Sequence, residues 1–456
     1  MVSDINGLAA EYWFAGRWDD LEAECRSRLQ RVPDDADTMS VLAEICQSTG
    51  RRPEAIRLLR KLADGVRDAR YPARLSWLLQ EAGDLDGGIA EFRRALHIDP
   101  SCSLVRPHAD ALFDVRDRID DALARQLSSQ APPGSFMLIH PAGAGFWSDV
   151  HHVLGHALAA RVDRRRPFVH WGETSLYAAD PTHNAWTDFF EPLDGSTPEE
   201  VEAAAARCAW PEIWSGGSPF LDVATRRKAT GPVSAADLVA RTEPLVVGTH
   251  HTGVHLIRHL LPVDDPLAHA DTGTILGALA PCLLRPRPHL RDRAEAFVAE
   301  NFGGAPFIAA HLRGTDKRAE QGDSNLDAVN RAIERTVDKL LAQRLGIRLL
   351  LLTDDRHVEA RCRERYGDCV VTSAALRSEG YQGLHLRSGL PPRQLGEEVV
   401  VDVLAALAAD CFVGNCFSNV ACIVRALKHW PEGKLTLLGS TDVVFNYAAS
   451  VLRPQA

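Results

Sequence analysis

The charged segment HLRGTDK, residues 311–317, is the part of the sequence best suited to chemistry on a phosphorylated ligand. It directly follows the apolar run FIAA, and parallel sheets present their ligand-binding groups at the ends of such strands. The planar guanidinium of Arg313 can donate two hydrogen bonds to one phosphate, and Lys317 adds a point charge. Taken alone, the segment is equally compatible with a solvated surface loop.

Two later segments also place polar groups directly after apolar runs. Asp354 and Asp355 follow RLLLL, where paired acids can bind a metal, orient an arginine or cap the next helix. Ser418 and Asn419 lie between a predicted strand and a predicted helix, where the first N–H groups of the helix can receive a phosphate. A simple helix cap is the alternative interpretation of both segments.

The fourth candidate segment is glycine-rich and lies earlier in the chain. Gly143 and Gly145 precede a predicted helix and let the backbone approach a ligand closely. Their spacing does not match GxGxxG, and no P-loop occurs anywhere in the sequence. These absences disfavour a dinucleotide-dependent enzyme, an ATPase and a kinase. The four segments together predict a cleft that holds a nucleotide diphosphate.

The composition narrows the class of protein further. The chain has 456 residues, a net charge of −10 and a pI near 6.0, which disfavours nonspecific binding of nucleic acid. The sequence lacks both a long apolar run and a signal-peptide pattern, so we expect a cytoplasmic protein without a membrane span. The ten cysteines form no CxxC pair and are expected to be free thiols.

Two groups of residues can be interpreted either as structural or as functional. His251, His255 and His259 share a helical spacing that zinc ligands also use, but no acid or cysteine completes the set, so we predict no metal site. The aromatic stretch from His170 to Trp186 suits either a sugar acceptor or packing in the core.

The first hundred residues contain a repeated pattern with a period of 33 to 34 residues. Gly16, Gly50 and Gly83 lie 34 and 33 residues apart, and Pro33 and Pro100 each follow their glycine by 17 residues. A helix–turn–helix unit with this period is typical of tetratricopeptide repeats, whose stacked helix pairs bury a shared core. Such a domain can bind the acceptor or a partner, mediate dimerisation or give structural support, and the sequence does not choose among these roles.

The remaining chain alternates short apolar runs with amphipathic helices. This alternation predicts parallel sheets covered by helices. We predict a TPR-like helical domain over residues 1–126, a linker over 127–135, and two Rossmann-like domains over 136–285 and 286–456. The fold class is therefore α/β, with two Rossmann-like domains that face a cleft and follow an all-α domain.

Four motifs in the correct order resemble those of the α1,6-fucosyltransferases. HLRGTDK resembles the HxRRTDK donor loop of that family, and LLTDD resembles its second motif. VVVDVLAALAADCFVGNCFSNVACIV and GAGFWSDVHHV resemble its third motif and its glycine-rich loop. The resemblance spans about residues 136–440. It implies a GT-B fold and inverting transfer from GDP-fucose, with no cofactor and no metal ion.

The resemblance also implies roles for individual residues. Arg313 corresponds to the essential arginine that holds the β-phosphate of the donor, and His311 and Asp402 should lie near the guanine and ribose. The other matched positions are the TDK residues Asp316 and Lys317, the acidic pair Asp354 and Asp355, and the diphosphate-contacting Ser418, Asn419, Gly143 and Gly145.

The sequence departs from the family pattern at two positions. The second arginine of the family is Gly314 here, so one phosphate contact is missing. Glu320 lies close to the position of the family's proposed base, but Gln321 falls at the matching spacing, so the base stays open. We expect a fucosyltransferase that acts on a glycan, peptide or natural-product hydroxyl. Another nucleotide sugar, or a non-catalytic scaffold, are the alternatives.

Overall fold

Six helices lie within residues 5–102, at the N-terminal end of the described chain. The structure is a computed structural model and is described for residues 5–102, 104–105, 131–231, 233–262, 264–314, 323–343, 346–379 and 389–439. The helices stack as three successive hairpins. The first five helices share one apolar cluster, and the buried hydrophobic residues of the sixth belong to a separate, larger cluster. Their bounds are Ile5–Phe14, Trp18–Arg31, Ala36–Ser48, Arg52–Gly65, Arg70–Ala82 and Leu85–Ile98.

Glycine turns separate the two helices of each hairpin, as the sequence repeat predicts. Gly16, Gly50 and Gly83 adopt φ values of +67°, +77° and +94°, a left-handed conformation that favours glycine. The second helices of the first and third hairpins end shortly before Pro33 and Pro100. The predicted helix–turn–helix period is therefore confirmed, while membership of the tetratricopeptide class stays a prediction.

The first α/β unit is built on a four-stranded parallel sheet in the order β2-β1-β4-β3. Strands β1 and β4 are buried throughout, which explains why they are almost continuously apolar in sequence. The strands are β1 Phe136–Ile139, β2 Arg166–Val169, β3 Ala209–Trp210 and β4 Leu245–Gly248. The helices are Phe146–Val162, Trp186–Phe189, Pro198–Arg207, Val223–Thr230, Val254–Ile257 and Thr272–Leu283.

The second α/β unit contains a five-stranded parallel sheet in the order β7-β6-β5-β8-β9. Its strands are β5 Phe307–His311, β6 Arg348–Leu352, β7 Val370–Val371, β8 Cys411–Asn415 and β9 Leu435–Leu438. Its helices are Pro288–Phe302, Asp323–Gln343, Arg356–Tyr366, Pro392–Leu407 and Asn419–Leu427. The predicted α/β fold class, with two Rossmann-like units and a helical N-terminal part, is confirmed.

The strand orders show where each sheet can bind a ligand. In the second sheet the chain proceeds outward from β5 through β6 to β7, and then returns to the other side of β5 as β8. In the first sheet, β1 is likewise flanked by β2 and β4. A crevice opens beyond the carboxyl ends of the strands where the order reverses. The residues that follow β1, β5 and β8 are therefore placed to contact a ligand.

The aromatic stretch of the first α/β unit is core rather than surface. Trp171 and Trp186 are fully buried, and their rings meet edge to face with 5.1 Å between centroids. Phe189 is also fully buried and packs against Phe146. Of the two interpretations of this stretch, packing in the core is the one that the structure supports. In the part of the chain that is described, no helix is long and apolar enough to cross a membrane.

Candidate active site

A cavity of about 360 Å³ lies between the two α/β units, at the carboxyl ends of their strands. The glycine-rich loop and the helix after β1 form one wall, and the segments after β5, β6 and β8 form the opposite wall. Its lining residues are Ala144, Gly145, Phe146, Trp147, Ser148, Tyr177, His311, Arg313, Leu352, Thr353, Asp354, Ala375, Leu376, Leu395, Glu398, Val399, Asp402, Ser418, Asn419 and Val420.

Arg313 is held at the edge of the cavity by contacts on both its side chain and its backbone. Its Nη1 atom donates to Oδ2 of Asp354 at 2.5 Å, and both side chains are 19% exposed. The Nδ2 atom of Asn330, on the helix Asp323–Gln343, donates to the carbonyl oxygen of Arg313 at 2.8 Å. An arginine restrained in this way loses less conformational entropy when it binds an anion.

The two neighbouring acids, Asp354 and Asp355, have different surroundings. Asp354 lines the cavity and accepts from Arg313 and from the backbone N–H of Gly314. Asp355 is buried, and its Oδ1 accepts from the backbone N–H of His357 at 2.8 Å, which caps the helix that follows. Asp355 is absent from the cavity lining, so of this pair the structure brings only Asp354 to the site.

The helix Asn419–Leu427 begins at the cavity wall. Ser418 is its N-cap residue, is buried, and makes no capping hydrogen bond through its side chain to the described residues. The first N–H groups of a helix have no acceptor within the helix and carry a partial positive charge. Ser418, Asn419 and Val420 all line the cavity, so this helix terminus and Arg313 face the same space.

The glycine-rich loop on the opposite wall is organised by Asp149, which the sequence interpretation missed as an individual residue. Oδ1 of Asp149 accepts from the N–H groups of Ala142 at 3.0 Å and Ala144 at 3.3 Å. Its side chain is fully buried, and burial raises the pKa of Asp149 to about 7 against the opposing effect of the loop amides. An acid two residues before the paired histidines His151 and His152 was the available signal.

Arg227 contacts the same loop at Ala142, a residue that Asp149 also holds. Its Nη1 atom donates to the carbonyl oxygen of Ala142 at 2.7 Å, and its charge lies near Asp149. The two predicted glycines of this loop are placed differently: Gly145 lines the cavity, whereas Gly143 does not. Gly143 has a φ of +81°, so it shapes the turn that presents Gly145.

The other half of the cavity is more apolar and contains two further predicted residues. His311 is 3% exposed, and burial beside the charge of Arg313 lowers the pKa of His311 to about 3, so the ring stays neutral. Its Nδ1 has no hydrogen-bond partner among the described residues. Asp402 faces the cavity with Glu398, and burial raises the pKa of Asp402 to about 6.

Most of the other histidines near this site have structural partners. His152 accepts from the N–H of Thr252 through Nδ1 and donates from Nε2 to the carbonyl of His140 at 2.8 Å. His156 contacts the carbonyl oxygen of His152 through Nδ1. Within the described residues, no three His, Cys, Asp or Glu side chains are grouped so that they could hold a metal ion, and this includes the histidines at 251, 255 and 259.

The structure does not describe three of the predicted catalytic residues. Asp316, Lys317 and Glu320 lie outside the described residues, so their predicted roles remain predictions. The structure brings the other predicted residues together around one cavity, with the exceptions of Gly143 and Asp355 noted above.

Comparison with known proteins gives weak likenesses only. No family model and no curated protein matches the chain. It is similar to NodZ α-1,6-fucosyltransferase crystallised with GDP, with 16% identity, a TM-score of 0.43, and coverage of 64% of this chain and 92% of that one. For fucosyltransferase NodZ from Bradyrhizobium the identity is 15%, the TM-score 0.42 and the coverage 64% and 93%.

A second kind of fucosyltransferase is similarly distant. For POFUT1 in complex with GDP, the identity is 16% and the TM-score 0.39, with coverage of 67% of this chain and 98% of that one. Identities and TM-scores this low do not assign a function. Any assignment therefore depends on the sequence motifs and on the residues of the cavity.

Proposed function

We propose that this chain transfers fucose from GDP-fucose to a hydroxyl group of an acceptor, with inversion at the anomeric carbon. The donor would occupy the cavity between the two α/β units, and no cofactor or metal ion would take part. The acceptor would be a glycan, a peptide or a natural product. The choice of fucose and guanine rests on the resemblance of the four sequence motifs to the α1,6-fucosyltransferases.

The observation that carries the proposal is the position of Arg313. Its guanidinium lies at the wall of the cavity that the N-terminus of the helix Asn419–Leu427 also lines, and it is held by Asp354. An arginine and a helix N-terminus that share one cleft suit an anion with several oxygen atoms, such as a diphosphate. The guanidinium and the amides would supply the positive charge that a metal ion supplies in other transferases.

The more apolar half of the cavity suits the nucleoside of the donor. Leu352, Leu376 and Leu395 offer apolar contact to a flat ring, and Asp402 adds a carboxylate. Guanine presents adjacent N–H donors on one edge, and a carboxylate can accept from both of them. The neutral His311 can donate or accept one hydrogen bond to the ribose or base.

The proposed reaction is a single displacement. The acceptor oxygen attacks the anomeric carbon of fucose from the face opposite the diphosphate, while the bond from that carbon to the β-phosphate oxygen breaks. Negative charge develops on the departing GDP, and Arg313 and the helix amides stabilise it. A base within hydrogen-bond reach takes the proton of the acceptor hydroxyl. Glu320 is the residue proposed for this role on its position in the sequence.

Binding of nucleotides to the purified chain tests the proposal directly. Melting temperatures would be measured with GDP, GDP-fucose, UDP and ADP, each with and without EDTA. A ligand at about 100 times its Kd stabilises the folded chain by about 2.7 kcal/mol, which raises the melting temperature visibly. We expect stabilisation by GDP and GDP-fucose alone, unchanged by EDTA, because the cationic groups belong to the protein.

The other outcomes discriminate between the remaining functions. Stabilisation by UDP or ADP in place of GDP would indicate a transferase for another nucleotide sugar. A nucleotide effect that EDTA removes and Mg²⁺ restores would contradict the metal-free mechanism. No response to any nucleotide would leave the non-catalytic scaffold as the better interpretation.

A further inference from the structure

The three glycine turns of the helical hairpins, here called the repeat edge, differ in what they touch. A Cβ atom added at Gly16 would lie 2.6 Å from the backbone nitrogen of Ala332, in the second α/β unit. One added at Gly83 would lie 3.2 Å from the carbonyl oxygen of His269, in the first α/β unit. At Gly50 no atom lies within 4 Å. The repeat edge therefore contacts the second unit at Gly16 and the first unit at Gly83. Near Gly50, the carbonyl oxygen of Ser48 accepts from the N–H of Gly439, and Arg52 pairs with Asp271.

The first hairpin shares the hydrophobic core of the second α/β unit. Trp18 is 3% exposed and belongs to the same apolar cluster as Ala332 and Ile333. Trp13 stacks on Trp18 with 4.6 Å between ring centroids. Polar contacts surround this patch: Arg331 donates to the carbonyl oxygen of Phe14, and the ion pairs Lys339–Asp19 and Arg335–Asp20 lie farther along the same helix.

The third hairpin is attached in a similar way to the first α/β unit. Arg258 is 2% exposed and donates to the carbonyl oxygens of Gln80 and Glu81, at the end of the helix Arg70–Ala82. A buried guanidinium that caps the carbonyl end of a helix is favourable because that end carries partial negative charge. Phe92 of the same hairpin lies in the apolar cluster that this unit shares with the second α/β unit.

The contact of the first hairpin is directly connected to Arg313. The helix Asp323–Gln343 bears Asn330, which is 1% exposed and holds the backbone carbonyl of Arg313. The next two residues, Arg331 and Ala332, contact the turn at Gly16. One short stretch of helix therefore carries both the support of the site arginine and the attachment of the helical hairpins.

We propose that the helical hairpins, which contact both α/β units, restrain the helix Asp323–Gln343 and thereby hold Arg313 in place for the ligand. The two α/β units already share one continuous apolar cluster, which includes Phe146, Ile275 and Phe412, and the helical hairpins add contacts to both units. The ligand part of this inference rests on the proposed function. The restraint on the helix Asp323–Gln343 and on the end of strand β5 does not depend on the proposed function.

Gly16→Ala and Gly50→Ala form a matched pair of variants for the test. Both glycines have positive φ, +67° and +77°, so alanine strains the backbone of each hairpin in the same way. Only at Gly16 does the added methyl group collide with the second α/β unit. Hydrogen–deuterium exchange would be followed without nucleotide, at a temperature at which both variants are folded, over residues 307–314 and 323–343.

We expect Gly16→Ala to accelerate exchange in both segments and to weaken GDP binding at least about fivefold, with neither effect in Gly50→Ala. Equal exchange in the two variants would overturn the proposed restraint on this helix and on Arg313. If Gly16→Ala does not fold, Arg331→Ala tests the same contact from the other side, with the exposed Arg356→Ala as its control. Failure of the wild-type protein to bind GDP would contradict the proposed function, while the exchange result would still decide whether the hairpins restrain the helix.

Discussion

A Cβ atom added at Gly314 would lie 2.1 Å from Oδ2 of Asp355 and 2.4 Å from its Cβ. Asp355 cannot easily move away, because its other oxygen caps the helix Arg356–Tyr366. No side chain therefore fits at Gly314, where the family that the sequence resembles has its second arginine. In this protein, a helix cap occupies the space into which a side chain at position 314 would project, and among the described residues of this segment Arg313 is the cation at the cavity.

Substitution of Gly314 should destabilise the protein without improving donor binding. Gly314→Ala forces the new methyl group against Asp355, and overpacking of this kind costs about 1–3 kcal/mol. Gly314→Arg should be at least as destabilising and should not restore a phosphate contact. Urea unfolding measures the change, with Gly277→Ala as control because a Cβ atom there meets no neighbour. A Gly314→Arg variant of normal stability that binds GDP more tightly would refute this account.

Arg313→Ala should nearly abolish transfer while the chain stays folded. Loss of one charge-assisted contact to the leaving diphosphate costs about 3 kcal/mol in the transition state, or a hundredfold or more in kcat. The rate of fucose transfer and the melting temperature would be measured together. Arg356→Ala removes an arginine from an exposed ion pair of the same α/β unit and should leave the rate unchanged. Wild-type turnover by Arg313→Ala would exclude the proposed site.

Substitutions of the two adjacent acids should have different effects: those at Asp354 should impair activity, and those at Asp355 should lower stability. Asp354→Asn weakens the contact that holds Arg313, so we expect a higher KM for the donor and a lower kcat with little change in stability. Asp355→Ala removes a helix cap, so we expect the free energy of unfolding to fall by about 1 kcal/mol. Steady-state kinetics and urea unfolding of both variants check the pair, and the same kinetic defect in each would contradict it.

Binding of GDP-fucose should weaken as the pH falls below about 6. Burial raises the pKa of Asp402 from 3.8 to about 6, so below that pH the group is protonated and can no longer accept two hydrogen bonds from guanine. The pH dependence of folding stability has the opposite sign. Asp402 contributes most to the free energy of unfolding below pH 4, and that contribution is lost as the pH rises through 6. His311, with a pKa near 3, stays neutral throughout.

Calorimetric titration with GDP-fucose between pH 5 and 7.5 measures this dependence. If only the ionised form of Asp402 binds, affinity falls about tenfold for each pH unit below its pKa. Asp402→Asn should bind weakly at every pH and remove the slope. A wild-type slope that persists in Asp402→Asn would assign the titration to another group.

Glu320→Gln tests the identity of the base. Removal of a general base typically lowers the rate by about 10²–10⁴-fold, and the KM for the donor should hardly change because this residue is not assigned to the nucleotide. Gln321→Glu provides the matched comparison at the neighbouring position, where the family spacing falls. An unchanged kcat in Glu320→Gln would remove this residue from the mechanism.

Much of the fold followed from local patterns in the sequence. Apolar runs such as FIAA and RLLLL became the buried strands β5 and β6, and the glycine period became three helical hairpins. Because parallel strands point the same way, polar residues directly after them must gather at one edge of the sheet. This geometry made Arg313, Asp354 and Ser418 predictable as residues of one site before any distance was known.

Other features depended on chain segments that are far apart in sequence. The sequence by itself determined that Asp354 and Asp355 follow a strand, but only packing decided that one faces the cavity and the other caps a helix. Packing also decided that Gly314 has no space for a side chain and that Gly16 contacts Ala332. Periodicity fixes where a strand ends, whereas the neighbours of a side chain depend on how distant elements pack, and no local pattern encodes that arrangement.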